Sequence, residues 1–212
     1  MTGGNKLMKV KVCGLTNSNH LKTCIDLNAD YCGFILNYPK SHRSIQIEKA
    51  KQLTSIEKKN TKYVGVLVEP KTQELEKFSK LNIDYFQLYG NYDEKSINEI
   101  KLKFNKKIIV TIQVRNKEDV FKYKQFEKIA DIILWDSSGF ELSLDWNLDW
   151  IKLIKTNTTK MIAGNINVDK LEKIFKFADI VDVSGALETN KVKDISKIKN
   201  FLNSLKKLNN EN

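Results

Sequence analysis

A chain of 212 residues, 41% of them hydrophobic, is long enough to bury a sizeable core as one larger domain or two small ones. Its three cysteines are an odd number at irregular spacing, which argues against a disulfide framework and favours a reducing, cytoplasmic compartment. The sequence contains neither a secretion signal nor an apolar run of about 18 residues, so we expect no membrane partner.

The net charge of +10 at pH 7 would suit a nucleic acid or an anionic substrate as partner. The 36 basic residues are lysines except for Arg43 and Arg115, and they are scattered through helical stretches. We therefore interpret them as solvated helix faces and expect no nucleic-acid partner. Because this chain uses lysine almost everywhere, an arginine marks a place where a planar fork of donors is useful.

Short apolar runs alternate along the chain with longer amphipathic ones. The short runs are apolar nearly throughout, as strands buried on both faces of a parallel sheet should be, and the longer runs have helical periodicity. In chain order, the predicted strands cover residues 9–13, 31–36, 63–68, 85–88, 108–112, 132–136, 160–163 and 180–183, and the predicted helices cover 20–29, 47–58, 72–81, 94–104, 117–128, 148–155, 168–177 and 195–207. A strand every 20 to 30 residues or so, repeated eight times, is the period of βα units.

Eight βα units in about 200 residues predict a compact (β/α)8 barrel, the TIM-barrel α/β fold, as a single domain. A doubly wound sheet is the alternative, but the chain has no Gly-rich dinucleotide turn. With only two prolines and no Gly/Ser-rich linker, we predict no internal boundary. We expect a flexible lead-in at residues 1–8, the barrel at 9–207 and a polar tail at 208–212.

The carboxyl ends of the strands in a parallel barrel line one mouth, where α/β proteins keep their chemistry. The first such end carries a thiol, Cys13, followed by Gly14, which lets the backbone turn. The alternative for Cys13 is a small buried hydrophobe, which is also our interpretation of Cys24 and Cys32. The other residues predicted at the mouth are Arg43, Glu69, Tyr89, Gln113, Asp136, Gly164, Asn165 and residues 182–185.

Several motifs occur in order along the chain. The first two read Lys11-Val-Cys-Gly-Leu-Thr-Asn17 and Gly33-Phe-Ile-Leu-Asn-Tyr-Pro-Lys-Ser-His-Arg-Ser44, and further ones lie at residues 65–68, 86–90, 134–136, 163–167, 181–188 and 193–194. Together they resemble the phosphoribosylanthranilate isomerase family of tryptophan biosynthesis. The resemblance runs from Lys9 to about Phe201, and its first two motifs are specific together although either alone would be weak.

The resemblance implies an Amadori rearrangement of N-(5'-phosphoribosyl)anthranilate to 1-(2-carboxyphenylamino)-1-deoxyribulose 5-phosphate, with no cofactor and no metal. It implies Cys13 as the general base at C2' and Asp136 as the general acid at the furanose ring oxygen. A thiol must be partly ionised to act as a base, so we expect nearby positive charge to lower the pKa of Cys13. We expect desolvation to keep Asp136 protonated.

The resemblance also implies which residues bind the small phosphosugar-anthranilate substrate. Arg43 would form a bidentate pair with the anthranilate carboxylate, and the alternative is a surface ion pair. Asp182 would contact the substrate amine or a ribose hydroxyl, or else act as a structural carboxylate at a strand end. The phosphate would lie on the loops after strands seven and eight, at Gly164, Asn165, Ser184, Gly185 and Ala186. The expected assembly is a monomer or a homodimer.

Several features depart from the family pattern. The stretch from Asp136 to Trp146 is short and has one glycine where the family has a Gly-Gly-Thr/Ser-Gly loop. Tyr89 replaces a common histidine, Asn165 replaces a second glycine, and residues 185–186 are Gly-Ala instead of Ser-Gly. These departures leave open a barrel isomerase with a related sugar-phosphate substrate. A non-catalytic basic binding protein is the remaining alternative, and it would need the lysines to cluster on one face.

Overall fold

The computed structural model describes residues 7–137 and 145–211, and within them eight parallel strands close into a barrel in the order β1 to β8. Each strand pairs with its sequence neighbours, and β1 closes the ring with β8. The strands are β1 Lys9–Val12, β2 Tyr31–Ile35, β3 Lys62–Val68, β4 Tyr85–Tyr89, β5 Lys107–Val114, β6 Ile132–Ser137, β7 Thr159–Ile162 and β8 Ile180–Val183. The predicted (β/α)8 barrel is therefore confirmed, and eight strand ends meet at one mouth.

The helices in the described part of the chain are α1 Ser18–Asp26, α2 Ile47–Thr54, α3 Thr72–Ser79, α4 Glu94–Phe104, α5 Leu171–Phe175 and α6 Ile195–Glu211. Two predicted helices, residues 117–128 and 148–155, are wrong, because 3-10 segments at Glu118–Gln125 and Leu148–Leu153 take their place. Both segments are rich in aromatic, β-branched and aspartate residues, which disfavour the α-helix. None of the described helices combines the length and the apolar character that a membrane crossing requires.

Both ends of the barrel domain extend beyond their predicted bounds. Met8, which we expected in a flexible lead-in, is buried, and Asn209 bonds to both its N–H (2.9 Å) and its carbonyl (3.0 Å). Helix α6 continues to Glu211 through the expected polar tail, because Leu208 packs against the core. Residues 1–6 and 212 of these predicted segments lie outside the described residues, as does the shortened stretch 138–144 after β6.

Side-chain alternation along the strands separates two apolar layers. One set faces the helices and includes Val12, Phe34 and Trp135, and the other fills the barrel interior. At the amino ends of the strands, the rings of Tyr31 and Tyr85 meet edge to face with centroids 5.6 Å apart. The same alternation that sends Val12 outward turns its neighbours on either side, residues 11 and 13, toward the barrel interior.

Candidate active site

A cavity opens at the carboxyl ends of the strands, and all nine predicted site residues line it. They are Cys13, Arg43, Asp136, Gly164, Asn165, Asp182, Ser184, Gly185 and Ala186. Tyr89 and Tyr38 complete part of the wall. Barrel closure thus brings together residues as distant in the chain as Cys13 and Ala186, which are 173 positions apart. Their individual roles stay predictions, but their predicted grouping matches the geometry.

Cys13 follows the last residue of β1, and its backbone is fixed from the β8 side. Its N–H donates to the carbonyl of Val183 at 2.9 Å, and the Ser184 hydroxyl donates to the carbonyl of Cys13 at 3.0 Å. Burial raises the pKa of the Cys13 thiol, and this outweighs the lowering by the charge of Lys11. Our expectation of a lowered pKa was therefore wrong, because the cations near the thiol do not compensate for its desolvation. Cys24 and Cys32 are fully buried, which confirms them as core residues.

A buried ion pair lies beneath Cys13. The Lys11 side chain is fully buried, and its Nζ lies 2.7 Å from Oδ2 of Asp182. Although burial opposes the charge, Asp182 and Cys13 together raise the pKa of Lys11, so it stays cationic. The second carboxylate oxygen of Asp182, Oδ1, is buried and has no hydrogen-bond partner among the described residues. One oxygen of Asp182 is therefore structural, and the other is available at the cavity.

Asp136, near the end of β6, accepts hydrogen bonds from two neutral donors. The Tyr89 hydroxyl donates to Oδ2 at 2.7 Å, and the N–H of Ser137 donates to Oδ1 at 2.8 Å. Gln87, two residues before Tyr89 on β4, donates in turn to the Tyr89 oxygen at 3.3 Å. Burial raises the pKa of Asp136 to about 6, although the Tyr89 hydrogen bond works in the opposite direction. The pKa of Asp136 is thus shifted in the expected direction, but a value of about 6 does not keep the carboxyl protonated at pH 7 as we expected.

Arg43 is buried, and part of its guanidinium fork is already used within the chain. Nε and Nη2 donate to Oε1 and Oε2 of Glu188 at 2.6 and 2.8 Å. Lys193 also binds Oε1 of Glu188, and although burial opposes ionisation, Arg43 and Lys193 lower the pKa of Glu188 to about 2. Gly14 permits this position, because a Cβ there would lie 2.5 Å from Cδ of Arg43. The ion pair of Arg43 is thus internal and buried, not a surface pair.

Glu188 and Lys193 face each other across a small hairpin that follows β8. Its strands are β9 Glu188–Thr189 and β10 Val192–Lys193, and the two turn residues, Asn190 and Lys191, both have positive φ. Lys193 also donates to the carbonyl and hydroxyl oxygens of Ser184, at 3.1 and 3.2 Å. The hairpin therefore joins Arg43 to the loop that is predicted to hold the phosphate.

The two predicted phosphate loops have backbone geometry suited to an anion. Gly164 and Asn165 both have positive φ, 100° and 45°, so the Asn165 that replaces a family glycine occupies a conformation that asparagine tolerates. The Asn165 side chain is turned away to Asp145, to which it donates at 3.0 Å, and Trp146 donates to the carbonyl of Ala163 at 2.9 Å. These contacts use the Asn165 side chain and the Ala163 carbonyl, so the predicted phosphate site depends on the backbone amides of the loop.

The sequence predictions missed Tyr38 and Ser137, which line the cavity. They also missed four polar residues that bond to site residues, namely Lys11, Gln87, Glu188 and Lys193. Lys11 carried a usable signal, because it lies two residues before Cys13 on one strand and so shares its face. Glu188 and Lys193 fell within recognised motifs but had no assigned partner. In the described ranges, no cluster of three or more His, Cys, Asp or Glu side chains has the arrangement of a metal site.

The fold and the site define a TIM-barrel enzyme with a thiol, Cys13, and a carboxyl of raised pKa, Asp136, in one cavity at the mouth of the barrel. Residues 10–204 match the family model described as N-(5'phosphoribosyl)anthranilate (PRA) isomerase. The chain is 32% identical to the N-(5'-phosphoribosyl)anthranilate isomerase of Thermoanaerobacter pseudethanolicus, over 94% of this chain and 98% of the relative. The chain belongs to the phosphoribosylanthranilate isomerase family, and its activity is that isomerisation in tryptophan biosynthesis.

Solved structures show the same barrel fold. The phosphoribosyl anthranilate isomerase of Thermus thermophilus superposes with a TM-score of 0.83 at 24% identity, covering 95% of this chain and all of the other. A second phosphoribosyl anthranilate isomerase, solved in complex with reduced 1-(o-carboxyphenylamino)-1-deoxyribulose 5-phosphate, gives a TM-score of 0.79 at 25% identity, covering 95% of this chain and 100% of the other. The barrel is thus shared along nearly the full length of both chains.

Proposed function

We propose that the chain carries out its isomerisation by general acid–base catalysis, with Asp136 as the acid and Cys13 as the base. The observation that carries this proposal is that both groups line one cavity while their surroundings differ. Asp136 has neutral hydrogen-bond donors and a pKa raised to about 6, whereas Cys13 has a buried ammonium beneath it. A pair with such different surroundings suits a reaction that must give a proton at one atom and take one at another.

The reaction then proceeds in three steps, after which the enzyme is restored. Asp136 protonates the furanose ring oxygen, the bond from that oxygen to C1' breaks, and the anthranilate nitrogen supplies the electron pair that forms the iminium. The Cys13 thiolate removes the C2' proton, and the C2'–H electron pair moves to give the enolamine. The enolamine loses its O2' proton and gains one at C1' to give the ketose. Cys13 loses its new proton and Asp136 regains one, which restores the enzyme.

The protonation states that this proposal needs are minority states. With a pKa of about 6, Asp136 is protonated in roughly one molecule in ten at pH 7. The raised pKa of Cys13 makes its thiolate scarce as well. Such minority forms can still transfer protons efficiently. A scarce thiolate is a stronger base than an abundant one, and a scarce carboxylic acid is a stronger acid than an abundant one, so higher reactivity compensates for lower population.

The substrate carboxylate binds Arg43 in this proposal. Glu188 occupies Nε and Nη2, so the Nη1 side of the guanidinium is the part that turns to the anthranilate carboxylate. The unpartnered Oδ1 of Asp182 supports the proposed contact with the substrate amine or a ribose hydroxyl, since a buried acceptor without a donor costs stability. The three free cysteines support a reducing, cytoplasmic location, and a monomer or a homodimer remains our prediction for the assembly.

The phosphate binds backbone amides of the two loops after β7 and β8. Residues 164–165 and 184–186 both line the cavity, and the Ser184 hydroxyl is committed to the Cys13 carbonyl, so main-chain N–H groups supply the donors. Neutral amides arranged in this way bind a dianion without a dedicated lysine.

Loss of anthranilate fluorescence from freshly made phosphoribosylanthranilate tests the proposal. Wild type consumes the substrate, and Gly185→Val, which adds bulk where the phosphate approaches the backbone, raises KM strongly with a smaller effect on kcat. Gly139→Ala, in the stretch outside the described residues, changes KM little. A large KM effect from Gly139→Ala and none from Gly185→Val would move the phosphate site to that stretch.

A further inference from the structure

Lys11 is a fully buried lysine that the proposed acid–base steps do not use. It lies in the barrel interior with its ammonium 2.7 Å from Asp182, and none of its side chain is exposed. A buried ion pair of this kind adds little net stability, because desolvation of two charges costs about as much as their attraction returns. Its position in the reaction site therefore calls for a functional reason.

The Lys11 side chain lies directly against the thiol of Cys13. Both residues face the interior from β1, and both pass over Gly33 on β2, where a Cβ would come within 3.0 Å of Cys13 Sγ and 3.2 Å of Lys11 Cε. The glycine thus leaves room for the two side chains to lie together. Lys11 contributes both charge and a hydrogen bond toward the thiol. The Lys11 side chain therefore lies beside the sulfur, and its ammonium contacts Asp182 Oδ2 at 2.7 Å.

Other charged and titratable groups face Cys13 from the neighbouring strands and loops. They are Asp182 from β8, Lys193 from β10, Arg43 from the loop after β2, Tyr89 from β4 and Cys32 from β2. Lys193 and Arg43 share the carboxylate of Glu188, so much of their charge is offset there. Among all the cations near Cys13, Lys11 lowers the pKa of the thiol most.

We propose that Lys11 is a positioning residue for the isomerisation, whose fixed ammonium stabilises the thiolate of Cys13 and whose ion pair turns the free oxygen of Asp182 toward the substrate. The inference rests on the proposed role of Cys13 as the base. In the proton-abstraction step the C2' proton moves to Sγ, and Lys11 keeps all its protons throughout. In a buried site, a positive charge beside a thiol favours the thiolate.

Alkylation of Cys13 by iodoacetamide, followed by mass spectrometry across a pH series, measures this effect without turnover. Only the thiolate reacts, and Cys24 and Cys32 are fully buried. In Lys11→Met we expect the rate at pH 8 to fall by about tenfold or more, since each unit of pKa changes the thiolate fraction tenfold. The kcat falls in parallel and KM changes less. Lys9→Met, at the exposed start of the same strand, keeps both rates. An unchanged alkylation profile in Lys11→Met overturns the proposal.

The double variant Lys11→Met/Asp182→Asn keeps the test decisive if the single variant does not fold, because it leaves no unpaired buried charge. Its alkylation rate should lie below that of wild type, and a rate equal to or above wild type overturns the role of Lys11. Failure of the underlying function is recognised separately. Activity retained by Cys13→Ser removes the proposed base, whereas an unchanged alkylation profile removes only the contribution of Lys11.

Discussion

Two carboxylates, Asp136 on β6 and Asp182 on β8, face the same cavity from different sides and have different partners. Asp182 is paired with the buried ammonium of Lys11, whereas Asp136 accepts hydrogen bonds from the neutral Tyr89 hydroxyl and a backbone amide. Burial raises the pKa of Asp136 to about 6, with the charge of Asp182 acting in the same direction and the Tyr89 hydrogen bond opposing it. The comparison teaches that two residues of the same type in one cavity can have different surroundings, because one has a cationic partner and the other has neutral hydrogen-bond donors.

The same contrast divides the mouth into two sides. The side formed by β8 and β1 is charged, with Lys11, Asp182 and the Arg43–Glu188 pair around Cys13. The side formed by β4 and β6 is neutral, with Gln87 and Tyr89 bonded in a line toward Asp136. A charged side suits a base that must become an anion, and a neutral side suits an acid that must hold its proton.

Cys13→Ser should break the charged side most completely. An alcohol stays protonated near neutral pH even beside a cation, so we expect turnover to fall by about 10³-fold or more with the fold intact. Fluorescence kinetics measure the loss, and circular dichroism checks the fold. Cys24→Ala, in the core behind the barrel, serves as the control with normal kcat. If the serine variant kept more than about a tenth of wild-type turnover, which is under 1.4 kcal/mol of barrier, another group must be the base.

Asp136→Asn should remove the proposed proton donor on the neutral side of the mouth. The amide keeps the shape but has no acidic proton, so we expect kcat to fall by roughly 10² or more while the affinity for product changes less. The exposed Asp169→Asn is a matched control that should leave kcat unchanged. Near-normal turnover in Asp136→Asn would transfer the acid role to Asp182 or Glu69.

Arg43→Lys probes the rim of the charged side. A point charge cannot hold Glu188 through two nitrogens and also reach the substrate carboxylate, so we expect binding to weaken by about 1–3 kcal/mol. The effect should appear as a raised KM with a smaller change in kcat. Arg115→Lys, which changes the chain's other arginine at an exposed position, provides the control. Equal KM values for wild type and Arg43→Lys would mean that Arg43 serves only its internal ion pair.

Tyr89→Phe tests how the neutral side sets the pKa of Asp136, and of these variants it should change the rate least. The Tyr89 hydrogen bond lowers the pKa of Asp136, so its removal should raise that pKa above about 6. Because Asp136, the acid, has a lower pKa than Cys13, the base, the rising limb of kcat/KM against pH is set by the pKa of Asp136. In Tyr89→Phe this rising limb should therefore move to higher pH. Tyr85→Phe, at the other end of β4, should leave the limb in place. A limb that stays near 6 in Tyr89→Phe would mean that another group sets it.

Local sequence patterns were sufficient for the strand framework and for parts of the helical layer. Residues 180–183 and 94–104 were predicted with the bounds that β8 and α4 have. Strand β5 is longer than predicted, because Gln113 interrupted the apolar pattern although it pairs in register with Asp136. The 3-10 segments could not be recognised, since their hydrophobic spacing also fits an α-helix.

Much of the site was predictable from the sequence, but its pairings were not. The nine residues with predicted catalytic or binding roles all line the cavity, because each follows or ends a strand and strand ends converge, whereas Glu69 and Gln113, also predicted at the mouth, do not line it. The Lys11–Asp182 pair joins positions 171 residues apart, and the Arg43–Glu188 pair joins positions 145 apart. Such contacts exist only once the barrel has closed, so a linear pattern carries no record of them. The pKa of Cys13 was mispredicted for the same reason, since its burial also depends on closure.

The hairpin of β9 and β10 fixes the geometry of the loop that follows β8. Two turn residues with positive φ, Asn190 and Lys191, set Glu188 opposite Lys193, and those two side chains in turn hold Arg43 and Ser184. In the proposed binding mode, this turn sets the distance between Arg43, which binds the substrate carboxylate, and the Ser184 loop, which binds the phosphate, although the turn itself contacts neither group. For protein engineering, this loop should be transplanted between barrels only as a whole unit, and length variation is better placed in the other loops of the mouth.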